Sequence, residues 1–301
     1  RNVYPETISR EEEMMTLEVT EKTVLITGTS TGIGRATALH LDQVGFPVIA
    51  TVRKTVDAEK LQAAVSPRLK PLLLDVTDPD SLGRAAEALS SLLGNQDLWG
   101  LVNNAGIGFG GPLEFFPLDR MRRLFEVNLF GVLAVTQMCL PYLRRAQGRI
   151  LNVSSTASLM AAPFHGPYSC SKFALNALSN ALRLELKPFG VQVSTLVCGS
   201  TKTPIWSKGG QESSEIWAEM PDVAKTLYGS RYLILRDFFG KIGQSGILPE
   251  EAARIVAQAL TASRPKQSYY IGRDAQLYRL TKFISERQRD ALNLRTIGLD
   301  Q

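Results

Sequence analysis

Of 301 residues, 44% are apolar and 21% charged, a balance that supports a hydrophobic core and excludes a disordered or fibrous chain. The net charge of +5 is unevenly spread: residues 1–21 carry six acids against Arg1 and Arg10, and residues 264–301 carry eight Lys or Arg against four acids. The basic tail reads as a solvated face, and no nucleic-acid partner is expected, because no aromatic-and-basic recognition motif accompanies it. Three cysteines, Cys139, Cys170 and Cys198, and two histidines, His40 and His165, stand in no metal-ligand spacing, so neither a disulfide framework nor a zinc cluster is expected.

In chain order, an acidic extension over residues 1–21 precedes a buried-type strand at 23–27, a glycine cluster, and an amphipathic helix at 33–44 closed by Gly45. Further strand-like runs fall at 47–52, 72–75, 98–102, 150–154, 191–197 and 268–271, with helical patterns near 57–64, 79–93, 117–146, 168–188 and 249–263. Short apolar strands alternating with helices predict one doubly wound, Rossmann-type α/β domain over residues 22–272, with a parallel seven-stranded sheet covered on both faces. Ligands of such sheets sit at the carboxyl ends of the strands. Residues 203–248 lack clear periodicity but hold Trp206, Trp217, Tyr228, Phe238 and Phe239, an insertion rather than a linker. Residues 273–301 form a basic helical extension. The longest apolar run, 130–143, is interrupted by Thr136, Gln137 and Pro141 and falls short of the ~20 residues of a membrane span. No span and a cytoplasmic location are therefore expected, with an anchor upstream of Arg1 left open.

The strand at 23–27 runs into Thr27-Gly-Thr-Ser-Thr-Gly-Ile-Gly34, which places Gly28, Gly32 and Gly34 between a strand and a helix. Glycines there let a pyrophosphate approach amide N–H groups at a helix N-terminus, where the dipole favours negative charge. A second pattern is Tyr168-x-x-x-Lys172, which sets a phenol and an ammonium one helical turn apart on one face. An ammonium nearby favours phenolate and draws a tyrosine toward the range useful for proton transfer. Tyr278 and Lys282 repeat this spacing, but Tyr168 lies 13 residues after Ser155, whereas the equivalent position before Tyr278 is Pro265; the second pair reads as an exposed helical pair. After the second strand, Ala50-Thr-Val-Arg-Lys54 offers no acid for a ribose 2′-hydroxyl but supplies cations for a 2′-phosphate.

These motifs, with Asn103-Asn-Ala-Gly106, Asn128 and Ser155 in order, resemble the classical short-chain dehydrogenase/reductase family over residues 22–272. The segment Gly-Pro-Leu-Glu114 resembles its estradiol 17-beta-dehydrogenase and retinol dehydrogenase branch. The resemblance implies Tyr168 as general acid/base, Ser155 orienting the substrate oxygen, Lys172 assisting the tyrosine and holding the nicotinamide ribose, and Asn128 positioning a water. Ser154 is the alternative to Ser155, although neighbours in a strand face opposite ways. The cofactor contacts it implies are Gly28, Ser30, Thr31, Gly32, Ile33, Gly34, Arg53, Asp75, Val76, Asn104, Ala105, Gly106 and Thr203, besides Tyr168 and Lys172. Thr51 stands where an NAD-selecting Asp would be and Arg53 where a 2′-phosphate is gripped, which favours NADP(H) over NAD(H); Thr31 before Gly32 supplies no second cation. Cys198 and Thr201 replace a proline and a valine of the family's loop before Thr203, so that loop lacks the restraint a proline would give.

The resemblance makes residues 203–248 a substrate lid, with Phe109, Phe164 and Trp206 as candidate walls for a lipophilic alcohol or carbonyl such as a steroid or retinoid. The long helices at 117–146 and 168–188 resemble those that build homodimers and homotetramers in the family. The alternative from another class is a catalytically weak dinucleotide sensor or scaffold. Retention of Asn128, Ser155, Tyr168 and Lys172 together argues for the enzyme.

Overall fold

The computed structural model describes residues 19–300; most of the acidic extension lies outside them. Seven parallel strands, β1 (Thr23–Ile26), β2 (Val48–Val52), β3 (Leu69–Leu73), β4 (Leu98–Asn103), β5 (Arg149–Ser155), β6 (Gln192–Cys198) and β7 (Ser268–Ile271), form one sheet in the order β3-β2-β1-β4-β5-β6-β7. The winding reverses between β1 and β4, so their carboxyl ends open the crevice where such sheets bind ligands. All four residues of β1 are buried, as a strand covered by helices on both faces requires.

Helices α1 (Gly32–Gln43), α2 (Thr55–Gln62), α3 (Pro79–Leu93), α4 (Leu118–Ala146) and α5 (Gly166–Glu185) supply the first crossovers. After β6 come α6 (Ile205–Glu219), α7 (Asp222–Ser245) and α8 (Pro249–Thr261), and after β7 come α9 (Arg273–Tyr278) and α10 (Glu286–Ile297). One apolar layer, including Ile26, Ala38, Leu41, Val102, Val256 and Leu260, lies between the sheet and α1 with α8. The other, including Leu25, Leu89, Leu101, Val135, Cys139 and Ile150, lies under α3, α4 and α5.

Three expectations are corrected. The third strand begins at Leu69 rather than 72, because as an edge strand it mixes buried Leu69 and Leu72 with exposed Lys70 and Leu73 instead of running continuously apolar; Pro71 is tolerated at such an edge. The insertion at 203–248 is two helices. Gly209, Gly210, Gly229, Gly240 and Gly243 interrupt its pattern, and only Ile216 of α6 and Ala224, Tyr232 and Leu235 of α7 are buried hydrophobics. Finally, the run around 130–143 belongs to a 29-residue helix long and apolar enough, by length and composition, to cross a membrane. Thr136 does not break it, since its hydroxyl donates to the Val132 carbonyl at 2.7 Å. Part of its apolarity packs into the fold, where Val135, Cys139 and Leu143 are fully buried against the sheet, and part faces outward, as Phe130 does.

Candidate active site

The turn after β1 is set by glycine. Gly28 and Gly32 have φ of +70° and +60°, the left-handed region that penalises side chains. A Cβ on Gly28 would lie 2.9 Å from the Cα of Ala105, and one on Gly32 3.2 Å from the Thr203 side chain. The loop is braced from β4: the Thr27 hydroxyl accepts the N–H groups of Asn104 and Ala105, each at 2.9 Å. The Asn104 amide donates to the carbonyls of Thr27 at 2.9 Å and Gly28 at 3.0 Å. From β2, the Thr51 hydroxyl accepts the Gly28 N–H at 3.3 Å and the Thr51 carbonyl accepts the Thr29 hydroxyl at 2.9 Å. At the start of α1, Thr31 makes no side-chain cap bond. The first-turn N–H groups are thus left for an anion, and a dinucleotide pyrophosphate fits this bare, glycine-lined turn.

Thr51 is buried and its hydroxyl engaged in the loop, while Arg53 and Lys54 stand exposed at the cavity rim. The Asp75 carboxylate accepts the Thr77 N–H at 3.0 Å and hydroxyl at 2.8 Å, which fixes the chain after β3.

A cavity of about 1410 Å³ runs from this turn across the carboxyl ends of the strands. It is lined by every expected cofactor contact except Gly34, and by Ser155, Tyr168, Lys172, Phe109 and Trp206. Gly34 lies beneath instead: a Cβ there would run into the Asn104 side chain and the Gly28 carbonyl. Phe164 is also off the wall. Its φ is +59°, its carbonyl accepts the Gly111 N–H at 2.7 Å, and its ring packs edge-on against Tyr228 at 5.6 Å.

Asn128 is the third residue off the wall. It sits in a π-turn over Glu126–Phe130 within α4, a widened turn of the kind found at functional sites. Its amide donates to the Ile107 carbonyl at 2.9 Å and the Ser171 hydroxyl at 3.0 Å, and its Oδ1 accepts the Ile107 N–H at 2.9 Å. That side chain ties the strap after β4 to α5. Gly106 passes between it and Lys172: a Cβ on Gly106 would be 3.3 Å from Asn128 Oδ1 and 3.7 Å from Lys172 Nζ.

Ser155 ends β5, where its hydroxyl accepts the Ala157 N–H at 3.2 Å and bonds with Tyr168. Ser154 faces the other way and donates to Asn176 at 2.9 Å, which leaves Ser155 on the cavity side. Lys172 is buried; its Nζ donates to the Val153 carbonyl at 3.0 Å and lies 5.7 Å from the Tyr168 ring centre. Burial lowers this ammonium to about 8, and a nearby Cys198 thiolate would raise it. Burial pushes the Tyr168 phenol above its ordinary value, and the Ser155 hydrogen bond pulls it partly back. Within the protein alone burial is the largest influence on the phenol, and the Lys172 ammonium donates to a main-chain carbonyl.

Several wall residues stand out only in three dimensions. His165 packs between the rings of Tyr168 and Phe239, 4.8 Å from each, and burial lowers its imidazole to about 4. From its place between Ser155 and Tyr168 it reads as a surface or substrate-side packing residue, and it packs. Glu212 of α6 accepts from Arg120 at 3.1 Å and Arg123 at 2.5 Å, both on α4. The basic extension also folds onto the site: Asn293 of α10 donates to the Ala161 carbonyl at 2.7 Å, and Asn293 and Ile297 line the cavity. Tyr278 is a wall residue rather than half of an exposed pair; only Lys282 is exposed, beside Phe283 at 5.0 Å.

A family model described as short chain dehydrogenase matches residues 22–214. Retinol dehydrogenase 5 of Mus musculus is 36% identical over 274 residues, 88% of this chain and 85% of the relative. The 17-beta-hydroxysteroid dehydrogenase type 6 of Bos taurus is 37% identical over 275 residues, 89% and 86% of the two chains. Among solved structures, a short chain dehydrogenase from Burkholderia cenocepacia in complex with NADP superposes with a TM-score of 0.69 at 26% identity, covering 91% of this chain and 98% of that one. With the sheet order, the glycine turn and the Ser155, Tyr168 and Lys172 cluster, these matches place the chain in the short-chain dehydrogenase/reductase family, in its retinol and hydroxysteroid dehydrogenase branch, as an NAD(P)-binding oxidoreductase of CH–OH groups.

Proposed function

We propose that the chain interconverts a lipophilic secondary or primary alcohol and its ketone or aldehyde, preferring NADP(H), with Tyr168 as acid/base. The observation that carries this reading is the meeting of Ser155, Tyr168 and Lys172 on one wall of the cavity that also holds the glycine turn. When bound, the dinucleotide supplies or accepts the hydride at the substrate carbon. Gly28, Gly32 and the first turn of α1 would hold its pyrophosphate, and Thr203 its nicotinamide end. Arg53 and Lys54 fit a 2′-phosphate, since the neutral Thr51 offers no repelling charge and is engaged with Gly28.

In the reducing direction Tyr168 donates its phenolic proton to the substrate oxygen, Ser155 hydrogen-bonds that oxygen, and Lys172 stabilises the phenolate left behind. A phenol held protonated by burial is in the donor form this direction needs. Asn128 holds Ile107 and Ser171 in register with this group. The aromatic walls Phe109, Trp206 and Phe239 favour a bulky apolar substrate, consistent with relatives named for retinol and a hydroxysteroid. Phe130 of α4 and Phe173 of α5, 52% and 43% exposed, support association of these long helices into a homodimer or homotetramer.

The test is NADPH and NADH oxidation with steroid, retinoid and small ketone or aldehyde panels. Turnover with bulky carbonyls, fastest with NADPH, is expected. Dinucleotide binding without turnover on any panel member would favour the sensor reading.

A further inference from the structure

We infer that Asp274, contributed by the C-terminal extension, is a positioning residue for the 199–203 loop and thereby for the nicotinamide half of the cofactor. This rests on the proposed placement of the nicotinamide at Thr203. The loop leaves β6 at Cys198, where the resemblance implies a proline, and continues through Gly199, whose N–H donates to the Ile271 carbonyl at 2.8 Å; within the loop the Thr201 hydroxyl donates to the Gly199 carbonyl at 3.2 Å.

Two neighbours hold it from opposite sides. The Asp274 Oδ2 accepts both the Ser200 N–H, at 2.6 Å, and the Ser200 hydroxyl, at 2.8 Å. Its Oδ1 accepts the Ala275 N–H at 2.9 Å, which aims the carboxylate. On the far side, the Ser200 carbonyl accepts the Ile247 N–H at 2.9 Å, and the Lys202 N–H donates to the Ile247 carbonyl at 2.9 Å. The fit is close enough that a Cβ on Gly199 would collide with the Asp274 carboxylate. One peptide is therefore clamped between the chain after β7 and the segment that returns from the lid. The residues just beyond that peptide reach both the lid and the cofactor turn: Trp206 donates to the Thr201 carbonyl at 2.8 Å, and the Thr203 side chain abuts Gly32. Loop, lid base and glycine turn are joined in series, and Asp274 supplies the only side-chain bonds among the described residues that hold Ser200. A carboxylate oxygen accepting two donors forms the stronger, charge-assisted kind of bond.

The experiment compares binding of NADPH with binding of adenosine 2′,5′-bisphosphate, which occupies only the adenine half near Arg53 and Asp75. In Asp274→Ala the Kd for NADPH is expected to rise about tenfold or more, while that for the bisphosphate stays within about twofold. Asp274→Asn, which keeps one acceptor oxygen, is expected to fall between. Ser200→Ala, which removes one of the two donors and leaves the main chain intact, should shift NADPH binding in the same direction by less and serves if the alanine variant does not fold. Equal weakening of both ligands, or no change in either, overturns the positioning role. A wild-type chain that binds neither ligand overturns the cofactor reading and this inference with it.

Discussion

The two halves of the cavity are built from different materials. On the cofactor side the wall is main chain, fixed by buried hydroxyl and amide bonds: Thr27 to Asn104 and Ala105, Thr51 to Gly28, Asn104 back to Thr27. On the substrate side the wall is side chains on α6, α7 and α10, joined by ring contacts such as Trp206 with Phe239 at 6.4 Å and Trp217 with Tyr232 at 4.1 Å. Helix α7 also leaves Leu227, Leu233 and Ile234 exposed. Gripping a pyrophosphate needs N–H groups at fixed positions, which only a backbone turn provides. Accommodating an apolar substrate needs shape, which many combinations of side chains provide. Tyr168 stands at the seam, so changes on either side are read out there.

The largest expected effect comes from that seam. Tyr168→Phe removes the transferable proton and leaves the ring in its contacts with His165 and Lys172. Turnover of NADPH should fall by about 10²–10⁴-fold with its Kd within about twofold. Undiminished turnover in a steady-state assay would remove Tyr168 from the mechanism.

Next in size is a stability effect on the substrate side. In the folded chain burial holds His165 near 4, below its ordinary 6.5. The folded state thus prefers the neutral ring, and the unfolded chain binds the extra proton as pH falls. Stability at this site is undiminished above 6.5 and is lost as pH drops toward 4, about 2 kcal/mol of it by pH 5. His165→Asn should flatten the change in urea midpoint between pH 7 and 5. An unchanged slope would place the imidazole in solvent rather than between Tyr168 and Phe239.

The cofactor side gives a smaller and more selective effect. Arg53→Ala should raise the KM for NADPH about tenfold, the worth of one charge-assisted contact, and leave that for NADH nearly unchanged. Equal effects on both would count against a 2′-phosphate contact.

The same division explains what could be read from sequence. The glycine turn was legible because its requirement falls on one residue type, glycine where φ is positive at 28 and 32; the amide at 128 was expected at a water and instead ties Ile107 to Ser171. The parallel seven-stranded sheet followed from the alternation of apolar runs with helices, and β3, an edge strand with exposed Lys70 and Leu73, was displaced. The substrate side was not legible in this way. The helical character of α6 and α7 was hidden because their apolar residues are divided among the cavity wall (Trp206, Phe239), a separate buried cluster (Ile216, Ala224) and the surface (Leu227, Leu233, Ile234), so no stripe of constant period forms. Phe164 was misplaced as a wall because its left-handed backbone turns the ring to Tyr228, which residue type does not reveal. The role of residues 273–297 as wall and brace depends on contacts more than 70 residues apart in sequence, such as Asp274 with Ser200.

The smallest expected effect separates the two tyrosine–lysine pairs. Tyr278 and Lys282 share the spacing of Tyr168 and Lys172, yet the helix α9 ends at Tyr278, and Lys282 lies in a following 3₁₀ turn. There it is exposed and meets the similarly exposed Phe283. Lys172, by contrast, is buried against the Val153 carbonyl. Lys282→Ala should therefore leave kcat, KM and the unfolding midpoint unchanged within about 0.5 kcal/mol, whereas Lys172→Met should lower kcat sharply. A comparable loss in both would mean that the spacing, and not the burial and the partner at the end of β5, sets what such a lysine does.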